Sequence, residues 1–320
     1  MASTLGLLKL RLTMAGTVAV IIGVSTLAFA GILWWTESFD IITMIGLVIV
    51  FNLAQWLLAP YLVNAMYGVK RMEADERPEL HSMVEGLSRR SGIRAPQLML
   101  SSLQIPNAFA YGSPLAGNRV AVTQGLLDEL QPDEVEAVIG HEIGHLKHRD
   151  MQVMMLISFM PSIFYILARG LLASGYGGGD RKDSGGLAIA GGISMLVYFA
   201  LTMFNLSLSR LREYYADQHS ASVVTDGGRK LSGALAKIST STLRGRTDSG
   251  SRFSSGGFKA LLISDPDRAA QDVAELRELG HGSSGLVDEI LSRKVSTGES
   301  FAELFSTHPN IVKRLRALQS

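Results

Sequence analysis

Residues 12–35 and 41–63 carry no charged side chain, and no other feature of the sequence limits the fold as strongly. A helix crosses the hydrocarbon core of a bilayer with about 20 apolar residues, so both runs are long enough to span. Two more runs, 151–168 and 187–209, are also free of charge. They are shorter or richer in Gly and Ser, and burial in a soluble core competes as their reading. The runs account for the composition: 18 % of the residues are charged, against about 25 % in a typical soluble domain.

Basic residues set the orientation. Lys9 and Arg11 precede the first run, and Lys70, Arg71 and Arg77 follow the second. Lys147 and Arg149 precede the third, and Arg210 and Arg212 follow the fourth. The connection at 36–40 holds Glu37 and Asp40 and no Lys or Arg. Positive charge gathers on the cytoplasmic side, so both termini and the bulk of the chain are expected there, in a multi-pass protein of the cell membrane. Arg169, Arg181 and Lys182 depart from this pattern; Arg169 is placed to snorkel, and Asp180 and Asp183 sit beside the other two. A signal peptide cleaved after Ala28-Phe29-Ala30 competes for the first run. That run outlasts an h-region of about 7–15 residues, and a second run follows at once. The chain has no Cys, which excludes a disulfide scaffold, a thiol nucleophile and a thiolate metal site. A net charge of +1 gives a nucleic-acid partner no footing.

Between the second and third runs the pattern is that of a small α+β unit. Residues 78–91 have helical spacing, ended by Gly92. Residues 97–101, 108–111 and 119–123 are short strands parted by Pro and Gly turns, and helices follow at 123–130 and 132–149. Residues 174–186 and 244–257 read as flexible connectors, and 266–279 and 285–294 as weaker helices.

The helix at 132–149 contains His141-Glu142-Ile143-Gly144-His145. Positions i and i+4 share a helix face, so the two imidazoles can bind one zinc ion, with Glu142 near enough to act as base on a water at the metal. A catalytic zinc takes three protein ligands and keeps one position open. His148 and Asp150 are near candidates for the third, but one straight helix poorly supplies three ligands. Residues 212–221 form a better source, because Glu213 and Asp217 lie i, i+4 on one face. One carboxylate can bind the metal while the other accepts the second N–H of a ligand histidine. His141 and Glu213 flank the third and fourth runs. If those span, they return the chain to the same side and place the metal close to the bilayer surface.

HEIGHLKHRD at 141–150, EYYAD at 213–217, PNAFAYG at 106–112 and THP at 307–309 together resemble the HtpX-like membrane zinc metalloproteases, the superfamily that also holds the type I CAAX prenyl endoproteases. The likeness covers residues 5–240 and the last fifteen. It implies His141, His145 and Glu213 as ligands of one zinc, Glu142 as general base, and Asp217 as the carboxylate orienting a histidine. It implies His308 as a partner of the transition state or of a resting metal. It also implies that Asn107, Ala108 and Phe109 border an edge strand that pairs with extended substrate. Turn and helix-start roles compete for Asn107 and His308. The implied fold class is a mainly α integral membrane protein: four transmembrane helices and a cytoplasmic, mostly helical catalytic domain with a small β-sheet. Its parts are a hairpin at 1–65, half of the catalytic domain at 66–150, a second hairpin at 151–209 and the other half at 210–320. The expected function is zinc-dependent endopeptidase activity on protein or peptide segments, with the lipid bilayer as partner and, from the resemblance alone, a place in membrane-protein quality control. Prenyl-peptide processing is a narrower alternative, although four spans are few to enclose a chamber. A transporter or non-proteolytic scaffold is the other class; the spans lack the ionisable residues a transporter needs, and a scaffold has no use for Glu142.

Overall fold

The computed structural model describes residues 41–148, 184–248, 295–306 and 308–319, with isolated positions elsewhere. The first run, most of the third, most of 174–186, and 249–286 lie outside the described residues, as do most of the helices expected at 266–279 and 285–294.

Helix α1 (Ile41–Tyr67) contains no charged residue and ends at Gly68, whose φ of 58° takes the chain out of the helix. Strand β1 (Val69–Arg71) follows. At three residues it is too short to show an alternation, and sequence reading missed it. Helix α2 (Pro78–Ser91) starts with Pro in its first turn and ends at Gly92, a left-handed cap whose N–H reaches the carbonyls of Ser88 and Arg89. Strands β2 (Gln97–Ser101), β3 (Ala108–Ser113) and β4 (Gly117–Thr123) complete a sheet of order β1-β2-β4-β3. The β2–β4 pair is parallel and the other two are antiparallel. β3 is the outer strand, and all six of its residues are buried.

Thr123 caps the short α3 (Gln124–Glu129) by accepting the N–H of Leu126. Helix α4 (Pro132–Lys147) opens with a capping box in which Gln131 and Glu134 satisfy each other's N–H groups. It stops at Lys147, short of the expected Arg149; Arg149 and Asp150 lie outside the described residues. The fourth apolar run and the segment carrying Glu213 are one continuous helix, α5 (Ser184–Val223), of 40 residues. Helix α6 (Gly227–Asp248), the short α7 (Thr297–Ala302), a single 3-10 turn (Glu303–Phe305) and α8 (Ile311–Gln319) complete the described chain.

Two apolar clusters pack on the sheet. Leu87, Leu126, Ile139, Ile143, Leu231, Leu235 and Leu315 tie α2, α3, α4, α6 and α8 together. Val63, Tyr67, Phe109 and Tyr111 tie the end of α1 to β3. Hydrogen bonds reinforce the second contact: Tyr111 donates to Asn64 Oδ1 at 2.6 Å, and Ser101 Oγ to the Tyr67 carbonyl at 2.6 Å.

The chain is therefore mostly helical with a small mixed sheet. α5 is long and apolar enough to cross a membrane, the one such helix found among the described residues, and only 11 % of its apolar window is buried. Among the described residues, that low burial favours a membrane span over a core helix for the fourth run.

Two glycines bring α4 against α5. A Cβ on Gly140 would stand 3.1 Å from Ser220 Oγ and Val224 Cγ2, and one on Gly144 3.1 Å from Ala216 Cα and His219 Cβ. Ser220 Oγ bridges the same contact, donating to the Ala137 carbonyl at 2.6 Å. Gly144→Ala should lower stability by about 1–3 kcal/mol, the usual cost of overpacking. Gly86→Ala, where a Cβ meets nothing within 4 Å, should raise it by about 0.4–1 kcal/mol. Denaturant melts of both variants in the same detergent check the pair; equal effects would refute the close-approach account.

Candidate metal centre

The close α4–α5 contact places four residues together. His141 and His145 stack one turn apart on α4 with their rings edge to face, centroids 4.7 Å apart. Their Nε2 atoms are 3.2 Å apart. Glu213 faces both from α5, with Oε2 3.5 Å from His141 Nε2 and Oε1 3.5 Å from His145 Nε2. All three residues are buried, and their ligand atoms lie within 4.8 Å of one another. A tetrahedral ion with bonds of about 2.0–2.1 Å requires neighbouring ligand atoms about 3.3–3.4 Å apart, which these separations match. Glu213 Oε2, though buried, accepts no hydrogen bond. A buried carboxylate oxygen left so is a place for a cation. The donor set of two imidazoles and a carboxylate therefore fits a divalent ion such as zinc.

Asp217 lies one turn beyond Glu213, with Oδ1 2.9 Å from His141 Nδ1. This fixes the ring so that Nε2 faces the other donors. Burial disfavours charge on His141, but the neighbouring Asp217 and Glu213 carboxylates outweigh it and push its pKa up to about 10. An incoming cation must therefore displace a proton, so metal binding weakens as pH falls.

Sequence reading did not single out Arg314. Fully buried on α8, it donates Nε to Asp217 Oδ2 at 2.8 Å and Nη2 to Asp217 Oδ1 at 2.7 Å. Its Nη1 is 3.3 Å from Glu213 Oε2. Its only sequence signal is an arginine among the apolar positions of a short helix, six residues after His308. His308 is also buried, with Nδ1 3.3 Å from Glu213 Oε2.

Glu142 is buried beside the donors and is held by β3. The Ala110 N–H donates to Glu142 Oε2 at 2.8 Å. Burial pushes the Glu142 carboxyl above the ordinary glutamate range; His141, His145 and the Ala110 N–H pull it partly back, and Glu213 adds to the rise. The other expected residues stand further along this strand. Asn107 is buried, its N–H donating to Thr123 Oγ1 and its carbonyl accepting from Thr123 N and Oγ1. Ala108 and Phe109 begin β3, and the Phe109 ring packs on Tyr67 and Tyr111. His148 packs near Tyr215 and His219 rather than among the donors. Asp150 lies outside the described residues.

Comparison with known proteins adds the following. The family model described as Peptidase family M48 matches residues 74–320. A protein named Protease HtpX homolog from Thermoplasma acidophilum is 38 % identical over 87 % of this chain and 85 % of its own length. One of the same name from Aeropyrum pernix is 38 % identical over 96 % of this chain and 94 % of its own. One from Thermoplasma volcanium is 34 % identical over 99 % and 96 %. Among solved structures, that of S. mikatae Ste24p superposes with a TM-score of 0.53 at 18 % identity, covering 99 % of this chain and 67 % of that one. At that identity the likeness is one of fold.

Asp217→Asn keeps the shape of the side chain but removes the charge that orients His141. It should weaken metal binding about 10- to 100-fold. Competition against a chromogenic chelator measures this, and unchanged affinity would remove Asp217 from the centre.

Proposed function

The chain belongs to peptidase family M48 and is a metalloprotease, and from that premise we propose that it is a membrane-embedded endopeptidase using one zinc ion held by His141, His145 and Glu213. The observation that carries the reading is the match between the separations of these three buried donors and a tetrahedral ion. When bound, the metal supplies Lewis acidity, lowering the pKa of water and polarising a carbonyl oxygen.

The protein's own residues do the rest. Glu142 takes the proton of the attacking water at Oε1, since Oε2 is engaged by Ala110, and returns it to the leaving amine. Burial raises its pKa above the ordinary glutamate range, the direction that favours a group serving as both base and acid. Asp217 and Arg314 hold His141 and Glu213 in place. His308, beside Glu213, is in reach to donate toward the oxygen on which charge develops. Substrate is read in extended form along 107–111, where backbone pairing gives loose sequence preference and favours locally unfolded segments.

For membrane placement, residues 41–63 and 187–209 cross the bilayer together with 12–35 and 151–168, and the catalytic halves 66–150 and 210–320 meet on the cytoplasmic side. The exposed apolar side chains of α5, Ile189, Ile193, Leu196, Phe199 and Phe204, support this reading. Quality control of membrane or misfolded proteins is the proposed setting.

Zinc content and casein cleavage in detergent test the assignment. About one zinc per chain is expected in the wild type. Glu142→Gln should keep its metal and lose about 10²- to 10⁴-fold in kcat. Glu213→Ala should lose both metal and activity. Cleavage by Glu142→Gln at the wild-type rate would overturn the mechanism.

Glu142 must be ionised to act as base, so kcat/KM falls as pH drops through its raised pKa. The Ala110 N–H stabilises the ionised form. Ala110→Pro removes that donor at an outer strand, and should move the acid limb to higher pH. A pH–rate profile measures the shift, and movement to lower pH would refute the role.

A further inference from the structure

The turn leading to His308 is arranged inside out for a protein in water. Glu303 is buried, accepting the Asn310 N–H at Oε1 and pairing with Lys313 through Oε2. Ser306 is buried as well. Meanwhile Phe301 is 65 %, Leu304 48 % and Phe305 50 % exposed, and the two rings stack on each other with centroids 5.6 Å apart. Three large apolar side chains within five residues thus face outward while the charge faces inward. Such a patch marks a contact surface.

Its place in the fold says which surface. Arg210 Nη1 donates to the carbonyls of Glu303, Leu304 and Ser306 at 2.8, 3.1 and 2.8 Å. Arg210 is the first charged residue after the apolar run 187–209 on α5. A 40-residue helix is about 60 Å long, twice the roughly 30 Å hydrocarbon core, so α5 must emerge from a bilayer part-way along its length. The run ends at residue 209, so Arg210 marks the point of emergence. The turn is thereby held at the level where headgroups meet acyl chains. Phe204, on the last turns of the run, is itself 60 % exposed. Aromatic side chains beside an arginine are the composition that this boundary favours.

We propose that Phe301, Leu304 and Phe305 form a lipid-seated foot: they insert into the headgroup–acyl boundary of the bilayer that α5 crosses, and so anchor the turn carrying His308. The proposal rests on the reading of residues 187–209 as a span. The occupant is lipid rather than a protein partner because Arg210, which ends the apolar run of that span, holds the turn that bears the patch. The foot ties His308 to the membrane: Ser306, whose carbonyl Arg210 holds, is two residues from the imidazole beside Glu213.

The chain has no Cys, so single cysteines can be placed and nitroxide-labelled in the full-length protein. Leu304→Cys and Phe301→Cys report the foot, Phe199→Cys the span, and Ser82→Cys, exposed on α2, the aqueous side. In phosphatidylcholine vesicles, collision rates with oxygen, which concentrates in lipid, and with a water-soluble nickel chelate are read by power saturation. The expected result is an oxygen-to-nickel ratio at 304 and 301 several-fold above that at 82 and below that at 199. A ratio at 304 and 301 equal to that at 82, with 199 in lipid, overturns the foot and leaves the span intact. Shielding of 304 and 301 from both reagents assigns the patch to a protein partner and overturns it too. A label at 199 as accessible to nickel as that at 82 refutes the span itself, and the foot with it.

Discussion

Two carboxylates one helical turn apart, Glu213 and Asp217, are buried with almost no access to water. Two charges in a low-dielectric interior repel each other and each loses its hydration, so the arrangement stands only where cations surround it. The protein supplies them from two places far apart in sequence. Arg314 on α8 grips Asp217 with two hydrogen bonds and approaches Glu213. His141 on α4 meets both carboxylates. Beside them, His141, His145 and Glu213 bring together donor atoms that could hold a metal ion. Charge balance at one point on α5 therefore dictates that the last helix return to the centre, although 97 residues separate Asp217 from Arg314.

Geometry imposes the second demand. Donor atoms 3.2–3.5 Å apart on two helices need the helix backbones themselves to come close. Gly140 and Gly144 flank the ligand turn and leave room for Ser220 and Ala216. The residues between and beside the glycines carry the candidate donors, while the glycines hold the distance. The same helix α4 then offers Glu142 to the sheet, where the Ala110 N–H meets it because that group points away from the β4 ladder. Base, ligands and strand are thus set by one helix lying between α5 and β3.

Much of this centre was legible in the sequence because its chemistry is periodic. His141 and His145, and Glu213 and Asp217, are each i, i+4 pairs, and that spacing on a helix can be read without a structure. The strands expected at 97–101, 108–111 and 119–123 announced themselves through apolar residues between turn formers, and the last two run two residues further into the turn that joins them. Arg314 was hidden because a buried arginine in an amphipathic helix looks like one on a solvated face until its carboxylate partner is known. Ala110 was hidden because its contribution is a backbone N–H, which every residue but proline carries. The continuity of α5 was hidden by composition: an apolar half and a charged half read as two segments, although the backbone does not register the change. β1 was hidden by its length.

The outer strand of a sheet offers unpaired backbone groups, a standing invitation to association with any stray extended chain. Many proteins answer with charge or proline along the edge. β3 has neither; its sequence, AFAYGS, is uncharged, and every residue in it is covered. The cover includes the end of α1, stitched on by the Tyr111–Asn64 and Ser113–Leu57 hydrogen bonds. Protection against aggregation has thus been assigned to a neighbouring helix rather than to the strand. The edge is thus shut by tertiary packing, and opening it means displacing α1 rather than remodelling the strand.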